Sequence, residues 1–405
     1  MKTWSRSAVA VTLAGAAILM VTMGARQSLG LFVSPLNSST GLGIVTISFA
    51  MAVGQFVWGA AQPIAGGLAD RFGPARVLVG GLLVLAAGTA LTPFMSSGLG
   101  LVLSLGVVTA LGAGAGSFSV LIGAAANRLA PEERGAASGI INAGGSFGQF
   151  VFAPITGKLI QLLGWMGAMW SLAAITLFAL PLIRPVAKRD AGPAKAAAPG
   201  DKGVWNAIRS SMGDSSYLLL HAGFFTCGFH IAFLVTHLPG EVDLCGLPPA
   251  VASWSLGIIG LSNIVGSLFA GAAVSRYRSK YVLAWMYASR AVLIAVYLVS
   301  PKTAATFYLF AVGLGLTWLA TVPPTAGIVG KLFGVRYLAT LFGLTLLSHQ
   351  VGGFLGAYLG GLAVASTGNY QWMWYGDIVL STFAALVNLP IREAPVHPRV
   401  AAAAA

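Results

Sequence analysis

The stretch Gly66-Gly67-Leu68-Ala69-Asp70-Arg71-Phe72-Gly73 closes one long apolar run, and Gly271-Ala272-Ala273-Val274-Ser275-Arg276-Tyr277-Arg278 closes another. A shift of 205 residues lays Gly66 on Gly271, Arg71 on Arg276 and Phe72 on Tyr277. A shift of 204 lays Gly139, Gly148 and Gly157 on Gly343, Gly352 and Gly361. Glycine coincidences carry modest weight in a chain with 53 glycines. The two shifts, however, agree within one residue and fall in equivalent segments. The chain reads as a parallel duplication.

Outward from these stretches, only 8% of the 405 residues are charged and 57% are apolar, with a mean hydropathy of +0.84. A soluble domain carries roughly 25% charged residues, so disordered, collagen-like, coiled-coil and ordinary soluble classes are excluded. A helix of roughly 20 apolar residues crosses a bilayer. Twelve such runs occur, at about 8–33, 44–66, 77–96, 99–127, 136–162, 167–184, 217–238, 250–274, 281–300, 304–329, 338–366 and 372–391. The expected fold is an all-α membrane protein, twelve transmembrane helices in two six-helix pseudo-repeats. The N-terminal bundle covers 1–184, a linker 185–214, the C-terminal bundle 215–392 and a tail 393–405.

The net charge of +13 raises nucleic-acid binding as an explanation, and the placement of the charges removes it. With the N-terminus in the cytoplasm, all 23 Lys and Arg except Arg26, Lys158, Arg290 and Lys302 fall in cytoplasmic segments. This is the positive-inside bias, and it predicts both termini on the cytoplasmic side of the membrane. The basic loops then lie beside anionic headgroups. Lys2 and Arg6 ahead of an apolar run also fit a signal peptide, but eleven further spans favour a retained first helix. The linker PVAKRDAGPAKAAAPGDKGVWNAIRSSMGD is polar and basic, and every other loop is short. Cys227 in a span and Cys245 in an external loop make neither a metal spacing nor a disulfide framework. Trp165, Trp170, Tyr370, Trp372, Trp374 and Tyr375 are expected to form an interfacial belt.

Gly67-x-x-Asp70-Arg71-x-Gly73-x-x-Arg76 resembles the loop signature of the major facilitator superfamily, and the resemblance covers essentially the whole chain. Arg134-Gly135-Ala136-Ala137-Ser138-Gly139-Ile140, with Ala143-Gly144 and Gly148-Gln149, looks like the fifth-helix pattern of monocarboxylate and oxalate/formate porters. Leu347-Ser348-His349-Gln350-x-Gly352-x-Phe354-Leu355-Gly356 is similar to bacterial members of that group, as are Cys227-Gly228-Phe229-His230 and Thr236-His237-Leu238-Pro239. There are departures. Animal monocarboxylate carriers use an Asp and an Arg one turn apart in helix eight, where this chain has Asn263 and Ser267. The helix-five Gly-Pro motif of drug/proton antiporters is absent, since Gln149 follows Gly148 and Pro154 comes later, so drug efflux loses weight. The resemblance implies alternating access, one half rocking against the other around a site near the midplane. It also implies a conformational latch made of Asp70, Arg71 and Arg76, with Glu132, Glu133 and Arg134 as partners. Ser275 replaces Asp70 in the second copy, so a weaker latch is expected there.

Polar groups inside a bilayer are costly, roughly 2.5–3.5 kcal/mol for an Arg at the centre on insertion scales. Arg26 sits in the outer half of span one, which lines the cavity in the resembled fold. Its planar fork matches a carboxylate, so it either binds a substrate anion, snorkels to the external interface or pairs within the protein. Arg290, in span nine, reads as a hydrogen-bond partner to neighbouring helices. His230 and His237 in span seven are seven residues apart and share a face that the cavity or a neighbouring helix occupies; His230 is a proton-coupling candidate. His221 reads as structural. In span eleven His349 either faces the cavity or braces close packing at Gly352, Gly356 and Gly360. Ser138, Asn142, Ser146 and Gln149 form a polar stripe on span five, and Ser48, Gln55 and Gln62 another on span two; each lines water or a partner helix. Asp377 is the one acidic residue deep in a span, on a peripheral helix by resemblance.

No nucleophile–base pair and no phosphate-binding Gly-Lys-Ser/Thr loop occurs, so an enzyme is not expected. The expectation is a secondary transporter for a small organic anion of monocarboxylate type, a monomer in the lipid bilayer without cofactor, metal or nucleic acid. It would be driven by protons or by anion exchange. Arg26, Gln149, His230, His349 and Asn142 are the expected substrate-binding residues, with His230 and His349 coupling protons. The alternatives are export of a neutral or cationic molecule, which needs a central acid, or a transporter-like sensor, which needs a signalling domain.

Overall fold

A computed structural model describes residues 5–126, 128–129, 131–187, 203–334 and 338–394. The twelve spans are helices. In the first half they are α1 (Arg6–Thr40), α2 (Ile44–Phe72), α3 (Pro74–Phe94), α4 (Gly98–Ala125), α5 (131–163) and α6 (165–187). In the second they are α7 (Ser215–Leu244), α8 (Pro249–Arg276), α9 (Ser279–Val299), α10 (Ala304–Phe333), α11 (Leu338–Thr367) and α12 (Gln371–Asn388). Gly164, at φ 69°, separates α5 from α6, because only glycine enters that conformation without strain. The linker contributes a short helix, Gly203–Ser211, and Asp214 then caps α7 by accepting from the Tyr217 N–H at 3.1 Å. Inside α10, residues 318–321 leave the helix. Pro323 and Pro324 have no N–H to return to the preceding turn, so the ladder opens there.

One apolar core is made wholly from residues of the first half, between Ala8 and Val186. Two others belong almost entirely to the second half. The glycines matched in sequence do matched work. Gly148 lets α5 press on the α1 backbone at Met20, and Gly352 lets α11 press on the α7 backbone at Phe225. Gly157 meets Ser253 of α8, and Gly361 meets Ser48 of α2, so both close contacts join the two halves. A methyl group at Gly139 or Gly343 would meet nothing within 4 Å. Each open glycine is 18 residues, five helical turns or about 27 Å, from the packed glycine on the same face. Among the described residues the halves therefore touch at one end of the molecule, and Gly139 and Gly343 face open space at the other. The open end carries the basic loops that follow α2, α4, α8 and α10.

The expected aromatic belt divides. Trp170, Trp372 and Tyr375 are exposed, but Trp165, Tyr370 and Trp374 are buried. Trp374 packs between Phe233, Tyr297 and Phe310 with ring centroids 4.9–5.7 Å away. Aromatic rings near a helix end serve the core as readily as the interface.

Candidate functional site

Arg26 lies in the last turn of the regular helix Arg6–Gln27, just before α1 tightens through Leu29–Phe32. One Nη2 donates to the Gln55 Oε1 of α2. The guanidinium carbon sits 4.0 Å from the centroid of the Trp58 ring, one turn further along α2. A cation over an aromatic face gains roughly 0.5–2 kcal/mol, and a hydrogen bond to a charged group about 1.5–3 kcal/mol. Together these offset the cost of placing an Arg in the bilayer. Neither partner is negative, so the full positive charge remains. Among the described residues no carboxylate forms an ion pair with Arg26.

Arg26 forms one wall of a cavity of about 30 Å³. That is room for roughly two water molecules. Met51, Leu85, Leu105, Ala113 and Leu172 give it apolar walls, and Val235 and Thr236 of α7 close it from the other half. Thr89 and Thr109 direct their hydroxyl protons at the carbonyls of Leu85 and Ser104, each at 2.8 Å. Arg26 is thus the strongest donor facing this space. It is held by its own half and faced by both.

The other expected residues lie elsewhere. His230 does not line this cavity: its side chain is fully buried and bonds Asp377 of α12 through Nδ1. His237 bonds the Ala357 carbonyl of α11 at 2.7 Å and meets the Tyr370 hydroxyl at 3.4 Å. The two do share a helix face, but α11 and α12 occupy it. His221 bonds the Ser348 hydroxyl at 2.5 Å. His349 is almost buried, its ring 4.9 Å from that of Phe224 and its Nδ1 3.4 Å from the Gln350 amide. Gln149 is fully buried, with both amide atoms unpartnered among the described residues, against Gly260 of α8. Asn142, two turns nearer the open end, is half-buried. Ser146 accepts from the Asn263 amide of α8 at 2.8 Å, so the α5 stripe faces a partner helix there. The side chains of Ser138, Asp70, Arg71, Glu132, Glu133 and Arg134 lie outside the described residues, and Arg76 is exposed.

The profile described as Major Facilitator Superfamily matches residues 15–248 and 244–405. The chain belongs to the major facilitator superfamily. Its relatives include monocarboxylate transporter 13 of Rattus norvegicus, 27% identical over 385 residues, covering 91% of this chain and 86% of that protein. The oxalate:formate antiporter of Oxalobacter formigenes is 24% identical over 372 residues, covering 88% and 84%. Two solved structures share the fold. A bacterial homolog of the human lysosomal transporter Spinster, inward-facing and unoccupied, superposes with a TM-score of 0.73 at 15% identity, covering 95% of this chain and 94% of that one. A D-xylose–proton symporter gives 0.74 at 13% identity, covering 95% and 98%. This major facilitator protein is an integral, multi-pass membrane transporter of twelve helices in two repeats.

Sequence reasoning did not pair Gln55 and Trp58 with Arg26. The signal was present, because Gln55 and Trp58 are three residues apart and share a face. It also set Asp377 aside, although His230 and Asp377 are the ionisable groups that two adjacent helices bring together.

Proposed function

We propose that this transporter moves a small organic anion of monocarboxylate type by alternating access, coupled to protons or to counter-exchange of a second anion. The observation that carries the reading is the Arg26 guanidinium, charged, without an acidic partner among the described residues, and facing a cavity closed by both halves. A carboxylate at about 4 Å from it gains about 4 kcal/mol at an effective dielectric of about 20. One cation among apolar walls suits one carboxylate with a short apolar body. The names of relatives that carry monocarboxylates, or oxalate and formate, support the same class.

Gln149 and Asn142 on α5 and His349 on α11 complete the site when the halves rock, and His230 and His349 are the histidines available for proton coupling. Asp70, Arg71 and Arg76 with Glu132 and Arg134 latch the end that is open here. The membrane is the bacterial inner membrane, the carrier is a monomer, and both termini are cytoplasmic.

The test is purified protein in liposomes, given labelled lactate and pyruvate with and without a pH gradient. Arg26→Ala is expected to lower uptake roughly 10²–10³-fold without changing the melting temperature. Uptake at the unmutated level would remove Arg26, and with it the argument for an anion.

A further inference from the structure

A second polar site lies inside the C-terminal half, away from the Arg26 cavity. His230 of α7 and Asp377 of α12 bond each other, and both side chains have no exposure at all. Arg290 of α9 is equally buried. Its Nη2 donates to the Thr317 carbonyl at 2.7 Å and the Trp318 carbonyl at 3.5 Å. Those are the carbonyls set free where α10 breaks. Among the described residues, His230 Nε2, Asp377 Oδ1, Arg290 Nε and Nη1, and the Ser381 hydroxyl remain without a partner. Buried polar atoms are rarely orphaned, and several around one ion pair mark a place for internal water.

We propose that the His230–Asp377 pair is a proton-binding site, and that Arg290 transmits its occupancy to the broken helix α10. With the imidazole neutral, Arg290 and Asp377 balance. The pair takes its proton from hydronium: one hydronium O–H bond breaks, an N–H or O–H bond forms on the pair, a water molecule leaves, and the cluster gains one net positive charge. Asp377 then attracts Arg290 less, and the guanidinium depends on the two carbonyls of α10. The charge state at the pair thereby acts on the joint.

The joint reaches the other half through hydrogen bonds. The Leu319 N–H donates to Asn263 Oδ1 of α8 at 2.9 Å, and Asn263 Nδ2 donates to Ser146 of α5 at 2.8 Å. Ser146 is next to Gln149 on the α5 stripe. The titratable groups nearest the pair are Arg290 of α9, which bonds the carbonyl of Trp318 while the Trp318 ring lies 6.1 Å from that of His230, and Cys227, one turn before His230 on α7; Tyr287 of α9 and His349 of α11 lie beyond them on the side of Arg290. Cys227 contacts the Thr321 hydroxyl of α10 at 3.4 Å, so it belongs to the joint. None of them is a second carboxylate.

The proton site needs no cargo for its test; only its coupling rests on the carrier reading above. Infrared difference spectra of the purified full chain between alkaline and acid pH are expected to show a carboxylic or imidazolium band that vanishes in both Asp377→Asn and His230→Gln. Asp377→Glu should keep a shifted band, which guards against a variant that fails to fold. Spectra of folded Asp377→Asn identical to the unmutated protein would overturn the site. In liposomes with labelled lactate, Asp377→Asn should lower the ratio of gradient-driven uptake to symmetric exchange about tenfold. An unchanged ratio would overturn the coupling. An unmutated protein that carries no lactate would count against the cargo reading alone, leaving the infrared result to decide the proton site.

Discussion

Arg26 is held by groups that orient it without neutralising it. Gln55 fixes one edge of the guanidinium and Trp58 lies under its plane. Gln55→Leu keeps the volume and removes the acceptor, so the fork loses its aim. Affinity should fall roughly tenfold, as loss of one hydrogen bond to a charged group implies, and appear in transport kinetics as a raised KM with the maximal rate kept. A reduced maximal rate at constant KM would instead place Gln55 in the conformational step. Arg26 was legible in the sequence because a guanidinium in an apolar run has a cost; its neighbours were not, because glutamine and tryptophan in a span signal nothing until α1 is beside α2. Glu393, beyond α12, gives a pH prediction. Burial alone would raise its carboxyl. The Lys280 N–H at 2.6 Å and the Lys331 ammonium at 2.6 Å outweigh that and hold it below the ordinary carboxylate range. A depressed folded value means stability present above the unfolded value and lost as pH falls through the folded one. Glu393→Gln should lower the melting temperature at neutral pH by the equivalent of about 0–1 kcal/mol, as for a partly exposed pair. In acid the two proteins should melt together.

At the scale of the helix, periodicity says which residues share a face and not which neighbour covers it. His230 and His237 are aligned as their spacing requires, yet α11 and α12 cover that face. The α10 break was equally hidden: adjacent prolines interrupt the ladder, and Arg290 of α9, Asn263 of α8 and Cys227 of α7 bond the groups it frees. Arg290→Met should therefore strand the Thr317 carbonyl. A buried acceptor left unsatisfied costs about 1–3 kcal/mol, so the melting temperature should drop. Glycines make the sharper prediction. Gly361→Leu places a side chain on Ser48 where the halves meet, and Gly343→Leu places one in the open gap. With spin labels at Phe72→Cys and Tyr277→Cys, Gly361→Leu should shorten the distance across the open end, and Gly343→Leu should keep it long. The same response from both would mean that the glycine faces do not set the rocking equilibrium.

For the whole molecule, the open end and the basic end coincide. If the positive-inside bias sets the orientation, the gap at Gly139 and Gly343 faces the cytoplasm. The native Cys245, following α7 at the closed end, is half-buried, and Arg278 is exposed at the open end. A membrane-impermeant thiol reagent should label Cys245 on intact cells and Arg278→Cys only after permeabilisation. The reverse pattern would invert the topology and turn the structure into an outward-open one.

Length, hydropathy and charge placement were enough for twelve spans in two repeats, because a bilayer makes every crossing pay the same apolar toll and leaves the pattern on the chain. The duplication was equally readable, since Gly148 and Gly352, or Gly157 and Gly361, must be small at matched positions for matched helices to touch. What surrounds each polar side chain was decided only in three dimensions. Arg26 faces a cavity and His230 an ion pair for the same physical reason: a polar group in an apolar bundle takes whichever partner the helix packing brings within hydrogen-bond reach, and that packing joins residues far apart in the chain.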